Sequence, residues 1–432
     1  MKINSTKYLH GTINLPGDKS ISHRAAMFSA LAEGETKITN FASSADCAST
    51  LECLKGLGVE ISREGSTVFV KGVGKTGFTK PAKELDCGNS GTTMRLMCGI
   101  LAGQNFDSVL TGDESLSKRP MKRVIEPLAL MNAKIDSIEN HAPLTIHGKN
   151  PLTAHAFEPK IASAQLKSCL LLAGLNARGE TSVLEKTQTR DHTERMLKYL
   201  GVNLQETKTE NGTLISVSGK EVLTAKDLNV PSDVSSAAFF LVAAACLKDS
   251  EIILKNVGLN PSRTGIIKAL RSFGAEIEIL NETELSNELV GDLRVRGSEA
   301  LTRKAETNLI GGEIIANLID EIPILAVFGT QTQGGIEIRN AEELRVKESD
   351  RIAAVVENLK RMGAKVEEFQ DGLRVERSNL KGATVDSFGD HRIAMAFAVA
   401  ALFAEGETEI IDAECAAVSF PEFFDTLKNV CR

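Results

Sequence analysis

The sequence predicts an α/β (α+β) protein of two domains, each built from three copies of one repeated unit. Three observations lead there. A helix-ending phrase recurs five times: L-G-V-E-I at Leu57, M-N-A-K-I at Met131, L-G-V-N-L at Leu200, F-G-A-E-I at Phe273 and M-G-A-K-V at Met362. Its second residue, Gly or Asn, stands where a helix C-cap needs a left-handed residue, and a strand follows. An Ala/Leu-rich helix alternates with this phrase, starting near Ser22, Ser90, Ser163, Ser235, Asp320 and Asp390. The two alternate with a period of about 70 residues, which makes six units with two helices each.

Taken in order, a first strand from Tyr8 to Leu15 precedes unit one and is expected to pair with the C-terminal half. The stretch P-G-D-K-S-I-S-H-R (Pro16 to Arg24) then reads as a turn feeding a helix that begins near Ser22. The Ala-rich helices are apolar nearly all round and are expected to be buried. Five amphipathic helices end in the recurring phrase (Ser49–Leu57, Arg123–Met131, Thr193–Leu200, Arg263–Phe273, Asp350–Met362) and are expected to be half exposed. The final L-K-N-V-C at Leu427 looks like a sixth such ending, cut off by the chain end. Six units divide into an N-terminal domain, 18–229, and a C-terminal domain, 1–17 plus 230–432, meeting near Val230–Pro231.

Composition narrows the function. Apolar residues make up 42%, enough for a large core, but aromatics are 4% with no Trp, so that core is aliphatic. A net charge of −7 argues against a general nucleic-acid or anionic-membrane surface. None of the eight Cys forms a C-x-x-C pair, and neither Cys nor His shows ligand spacing, so free thiols and no metal are expected. The start of the chain has no apolar signal-peptide core. The longest apolar run, Ala237 to Leu247, falls far short of the ~20 residues of a membrane span, so a cytoplasmic protein is expected. G-V-G-K-T at Gly72 resembles the end of a P-loop, but the required first glycine is Phe69.

The polar residues that carry chemistry gather at the starts of the helices. Lys19, Ser20, Ser22 and Arg24 open the first. C-G-N-S-G-T-T-M-R places Gly91 and Arg95, S-L-S-K-R-P places Lys118 and Arg119, and A-S-A-Q-L-K places Ser163, Gln165 and Lys167. T-R-D-H-T-E-R holds Arg190 and Asp191, and I-D-E-I-P holds Asp320 and Glu321. E-L-R-V-K-E-S-D-R contributes Arg345, Lys347, Glu348 and Arg351, and G-D-H-R contributes Asp390, His391 and Arg392. Singly, each reads as an ordinary cap or a solvated charge. Together they put cations and hydroxyls beside unpaired helix N–H groups, which is an anion-binding device. If the buried helices of each domain are parallel, each domain presents a cationic mouth, and the two mouths are expected to face each other across a cleft for small polyanions. Asp320, Glu348 and Lys19 are the acid–base candidates, because a carboxylate among cations serves as a base and one beside another carboxylate can hold a proton. His391 reads as a structural, hydrogen-bonding histidine.

The stretches L-P-G-D-K-S-I-S-H-R, G-N-S-G-T-T-M-R, L-R-V-K-E-S-D-R-I and G-D-H-R-I-A-M resemble the signatures of the 5-enolpyruvylshikimate-3-phosphate synthase family, in order and over essentially the whole chain. The resemblance implies the two-domain enolpyruvyl transferase fold, six βαβαββ units in two inverted half barrels. It implies transfer of the enolpyruvyl group of phosphoenolpyruvate to the 5-hydroxyl of shikimate 3-phosphate, with release of phosphate and without metal or cofactor. By resemblance, Lys19, Ser20, Arg24, Ser163, Ala164, Gln165, Arg190, Asp320 and Lys347 hold shikimate 3-phosphate, and Lys19, Gly91, Arg119, Gln165, Arg351 and Arg392 hold phosphoenolpyruvate. Asp320 is then the base for the 5-hydroxyl, and Glu348, with Lys19, the proton donor to the methylene carbon. The partners implied are these two small molecules, not nucleic acid or a membrane, and a monomer is expected. Ala164 stands where some members have Ser, which places the chain nearer the branch that includes herbicide-tolerant enzymes. Gly91 stands where tolerant members often have Ala, and Val418 where many have Lys. The sister transferase acting on UDP-N-acetylglucosamine is the alternative; it typically has Lys-Asn in place of Lys19-Ser20 and a reactive Cys in the loop of Arg119. The related RNA-end cyclase architecture would want a basic face.

Overall fold

Leu57, Met131, Leu200, Phe273 and Met362 each close a helix, and the residue after each is left-handed: Gly58, Asn132, Gly201, Gly274 and Gly363 all have positive φ. The computed structural model describes residues 1–298, 300–303 and 307–432. Its helices, in chain order, are α1 (Lys19–Leu31), α2 (Ala45–Gly56), α3 (Gly91–Ala102), the single turn α4 (Glu114–Ser117), α5 (Lys122–Leu130), α6 (Ala164–Gly174) and α7 (His192–Tyr199). There follow α8 (Val234–Cys246), α9 (Gly265–Ser272), α10 (Ile322–Gly329), α11 (Arg351–Arg361), α12 (His391–Phe403) and α13 (Phe423–Val430). The last does not repeat the recurring ending: its C-cap, Cys431, is extended.

The chain forms two compact units: Met1–Pro16 with Pro231–Glu284 and Leu289–Arg432, and Gly17–Val230 with Leu285–Glu288. In the second, Asp107–Thr111 pairs in parallel with Leu85–Asp86 and antiparallel with His141–His147, and Lys134–Ile138 lies outermost. Glu33–Thr39 and Glu180–Glu185 are centred in the same way. In the first unit, Ile336–Ile338 repeats the pattern, and His10–Asn14 pairs in parallel with Glu251–Lys255, in the C-terminal half as expected. A further sheet has three strands, with Lys2–Ile3 antiparallel to Thr408–Ile411, and Leu152–Thr153 pairs with Ala177–Arg178 in a sheet of two. This is the mixed α/β repeat architecture that the alternating phrases predict.

Each unit has its own core, mostly aliphatic as expected, but in the first unit Phe239, Phe240, Phe420 and Phe423 also pack against one another. The Ala-rich helices sit inside it, and every residue of α8 from Val234 to Ala245 is buried. Side-chain size sets this: Ala and Gly let helices approach closely, and α3 packs so tightly on α6 that a Cβ on Gly99 would lie 2.2 Å from the Cys169 carbonyl oxygen. All eight cysteines are free. Burial pushes the Cys47 and Cys98 thiols up to about 12, so they pack as small apolar groups. Among the described residues no helix is long and apolar enough to cross a membrane.

Among the Ala-rich helices three starts differ from the sequence reading, and α2 begins at Ala45 rather than Ser49. The first helix begins at Lys19, not near Ser22, because the Asp18 carboxylate takes the Ile21 N–H at 2.8 Å and so caps three residues early. Asp233 likewise caps α8 ahead of Ser235. In α10 the cap position is Glu321, so Asp320 lies just outside the helix. Lys19 and Ser20 therefore belong to a first helical turn, with its unpaired N–H groups, rather than to a preceding turn.

Candidate active site

In the unit that holds Gly17–Val230, the first turns of α1, α3 and α6 come together. Arg24 pins them. Its Nε donates to Thr193 Oγ1 at 2.8 Å, Nη1 to the Ser20 carbonyl at 2.9 Å and Nη2 to Ser168 Oγ at 2.8 Å. Burial lowers this guanidinium to about 10, still charged at neutral pH. Lys19, nearer the surface, pairs with Asp46 at 2.9 Å. The Ser20 hydroxyl makes no hydrogen bond among the described residues.

Gln165, in the first turn of α6, is clamped at both ends of its amide. Arg95 Nη1 donates to its Oε1 at 2.7 Å, and its Nε2 donates to Thr92 Oγ1 at 2.9 Å. Ser163 caps the same helix through the Leu166 N–H, and Ala164 is its first residue. Gly91 opens α3, where a Cβ would meet Arg95 Nη1 at 2.8 Å and Arg119 Nη1 at 3.6 Å. Arg119 donates from Nη2 to Asn89 Oδ1 at 2.8 Å and to Ser115 Oγ at 3.2 Å. Arg190 lies in the segment that leads into α7. Lys167, by contrast, is turned into the protein between Glu185 and Glu194, and Lys118 is an exposed partner of Glu114. Neither belongs to the mouth.

The other unit repeats the plan with α8, α10 and α12. Arg392 Nη1 donates to Ser235 Oγ at 2.8 Å and to the Asp320 carbonyl at 2.9 Å, which ties all three helix starts together. Arg351 is buried against three carboxylates: Asp390 at 2.7 Å, Glu348 at 2.7 Å and Asp320 at 3.5 Å. Burial opposes its charge, but Asp390 and Glu348 outweigh it, so its pKa is raised. Burial likewise opposes the Asp390 carboxylate, and Arg351 outweighs it, so that pKa is lowered. Lys347 stands 3.5 Å from Glu343. This mouth is not simply cationic: Arg351 meets more negative charge than it carries, and Asp320 and Glu348 retain 16% and 19% side-chain exposure.

Several working parts escaped the sequence reading. Asp46, Thr92, Ser168, Thr193 and Ser235 hold the named residues, yet each lies far along the chain from most of what it touches. Their one local signal was position: Thr92, Thr193 and Ser235 all fall in the first turns of helices.

The EPSP synthase (3-phosphoshikimate 1-carboxyvinyltransferase) family model matches residues 3–427. The chain belongs to this family. It is 48% identical to the 3-phosphoshikimate 1-carboxyvinyltransferase of Brevibacillus brevis over all of both chains. It is 51% identical to that of Pelotomaculum thermopropionicum, over 100% of this chain and 98% of the relative. An EPSP synthase structure from Acinetobacter baumannii superimposes with a TM-score of 0.87 at 40% identity, covering 99% of this chain and 97% of that one. The enolpyruvyl transferase NikO from Streptomyces tendae reaches a TM-score of 0.79 at 15% identity, which speaks for the fold alone. The enolpyruvyl transferase fold expected from the motifs is thus the fold of the family.

Proposed function

We propose that this chain transfers the carboxyvinyl group of phosphoenolpyruvate to the 5-hydroxyl of shikimate 3-phosphate, releasing phosphate, as a step of aromatic amino acid biosynthesis. Membership of the family along the whole chain supports this reading, and the matching family is the shikimate enzyme rather than its UDP-N-acetylglucosamine relative. The observation that carries it at residue level is the gathering of Lys19, Arg24, Arg95 and Gln165 at three helix starts, where N–H groups and side chains can take a phosphate.

In this reading Lys19, Ser20, Ser163, Ala164, Gln165, Arg190, Asp320 and Lys347 hold shikimate 3-phosphate. Arg24 acts from beneath, since its nitrogens are engaged with Ser20, Ser168 and Thr193. Phosphoenolpyruvate falls to Lys19, Gly91, Arg119, Gln165, Arg351 and Arg392. Asp320 takes the proton of the 5-hydroxyl as that oxygen bonds to C2 of phosphoenolpyruvate. Glu348, with Lys19, delivers a proton to the methylene carbon. A tetrahedral ketal phosphate forms, and Arg119, Arg351 and Arg392 stabilise its charge. Loss of a proton from the new methyl group and departure of phosphate restore the double bond in the product.

Neither the mechanism nor the residue chemistry calls for a metal or organic cofactor. We place the protein in the cytoplasm, in line with its eight free cysteines, and expect it to act as a monomer. Phosphate release tests the reading. It is expected with shikimate 3-phosphate and phosphoenolpyruvate together, and with neither alone. Release with UDP-N-acetylglucosamine as acceptor, and none with shikimate 3-phosphate, would overturn it.

A further inference from the structure

Beside Asp320 lies a carboxylate that the reaction above does not use. Glu321 is fully buried, with 1% of its side chain exposed, at the cap position of α10. Its Oε1 accepts a short hydrogen bond from the Ser235 hydroxyl and lies 3.8 Å from Arg392 Nη1 and 4.0 Å from Arg263 Nη2. The Ser235 oxygen in turn accepts from Arg392 Nη1, whose second hydrogen goes to the Asp320 carbonyl. A hydroxyl whose proton is taken by a carboxylate offers its lone pairs to a donor, so Glu321 orients Ser235 as an acceptor.

The consequence is an asymmetric guanidinium. Nη1 is saturated by Ser235 and Asp320, while Nε and Nη2 make no hydrogen bond among the described residues. Those two nitrogens form the fork that suits a carboxylate or phosphate, and a fork is useful when its plane is held in advance. We infer that Glu321 is a positioning residue: acting through Ser235, it fixes the Arg392 guanidinium, and through that the Asp320 backbone, so that Arg392 presents a preset fork to the anionic donor substrate. The inference rests on the reading that Arg392 binds phosphoenolpyruvate.

Steady-state kinetics of Ser235→Ala, Glu321→Gln and Arg392→Lys test it, with KM measured separately for each substrate. KM does not depend on the folded fraction, so a merely structural role lowers apparent kcat and leaves both KM values in place. The expected result is a rise of about tenfold or more in KM for phosphoenolpyruvate in Ser235→Ala and Glu321→Gln, the size of one lost charge-assisted hydrogen bond, with KM for shikimate 3-phosphate within about twofold. Should Glu321→Gln fail to fold, Ser235→Ala carries the test by itself. Unchanged KM for phosphoenolpyruvate in the folded variants, or equal rises for both substrates, would overturn the inference. If Arg392→Lys raises that KM and the other two do not, the role of Glu321 fails and the assignment of Arg392 stands. If Arg392→Lys also leaves it unchanged, the assignment fails and the inference falls with it.

Discussion

Arg95 and Gln165 are joined by a 2.7 Å hydrogen bond that settles which way the Gln165 amide faces, with its oxygen on the guanidinium and its nitrogen on Thr92. The bond exists because Gly91 leaves room for the Arg95 side chain: a Cβ there would stand 2.8 Å from Arg95 Nη1.

Gly91→Ala therefore moves the guanidinium rather than the helix. The first turn of α3 accepts alanine, which favours helix by about 0.5–1 kcal/mol over glycine, so stability in urea is expected to hold or rise. KM for phosphoenolpyruvate is expected to increase by about tenfold as Arg95 and Gln165 shift. An unaltered KM would show that the Gly91 space serves no ligand.

Asp320 and Glu348 both touch Arg351 yet remain partly exposed, as the proton exchange proposed for them requires. Asp320→Ala and Glu348→Gln are each expected to lower kcat by about two to four decades, the range for general acid–base groups. Near-normal turnover in either variant removes that residue from the chemistry.

Arg24 bridges α1, α6 and α7 from a site 2% exposed. Arg24→Met deletes three donors and leaves buried acceptors behind, although Ser168 and Thr193 can still bond each other. Urea titration is expected to show a loss of about 2–4 kcal/mol. A loss below about 1 kcal/mol would mean that the three helix starts are held together by packing alone.

His23 lies under the same turn, with Nδ1 2.6 Å from Thr50 Oγ1. Burial first, then Lys19 and Arg24, holds its pKa well below 6.5. As pH falls through 6.5 the unfolded chain takes up a proton that the folded imidazole refuses. Stability that is full above 6.5 is then lost toward the lower folded value, by at most about 1.4 kcal/mol per pH unit. His23→Gln is expected to show a flatter dependence as pH falls below 6.5, and the difference between the two proteins isolates this group. Parallel curves would contradict it.

What the sequence made legible was what neighbours along the chain decide. The five left-handed helix ends are local events, and so is the apolar periphery of α8 and α12. The clustering of Arg, Ser and Gly at helix starts was visible because the repeat returns each start to an equivalent place. Pairing across the repeat was not. Nothing near Arg24 pointed to Thr193, 169 residues on, and nothing near Arg392 pointed to Ser235, 157 residues back. Glu321 read as a companion of Asp320, because only the folded chain separates a buried carboxylate from its partly exposed neighbour. The first helix start was missed by three residues because Asp18, Ser20 and Ser22 are all good caps, and only the folded chain shows that the Asp18 carboxylate takes the Ile21 N–H.

Addition followed by elimination adds a proton to the methylene carbon and then removes one. Running the reaction in heavy water, with the product read by mass spectrometry and NMR, follows that proton. Deuterium is expected in the carboxyvinyl methylene of the product, because the transient methyl group loses a proton or a deuteron. A product whose methylene carries protium alone, formed at full rate, would contradict it.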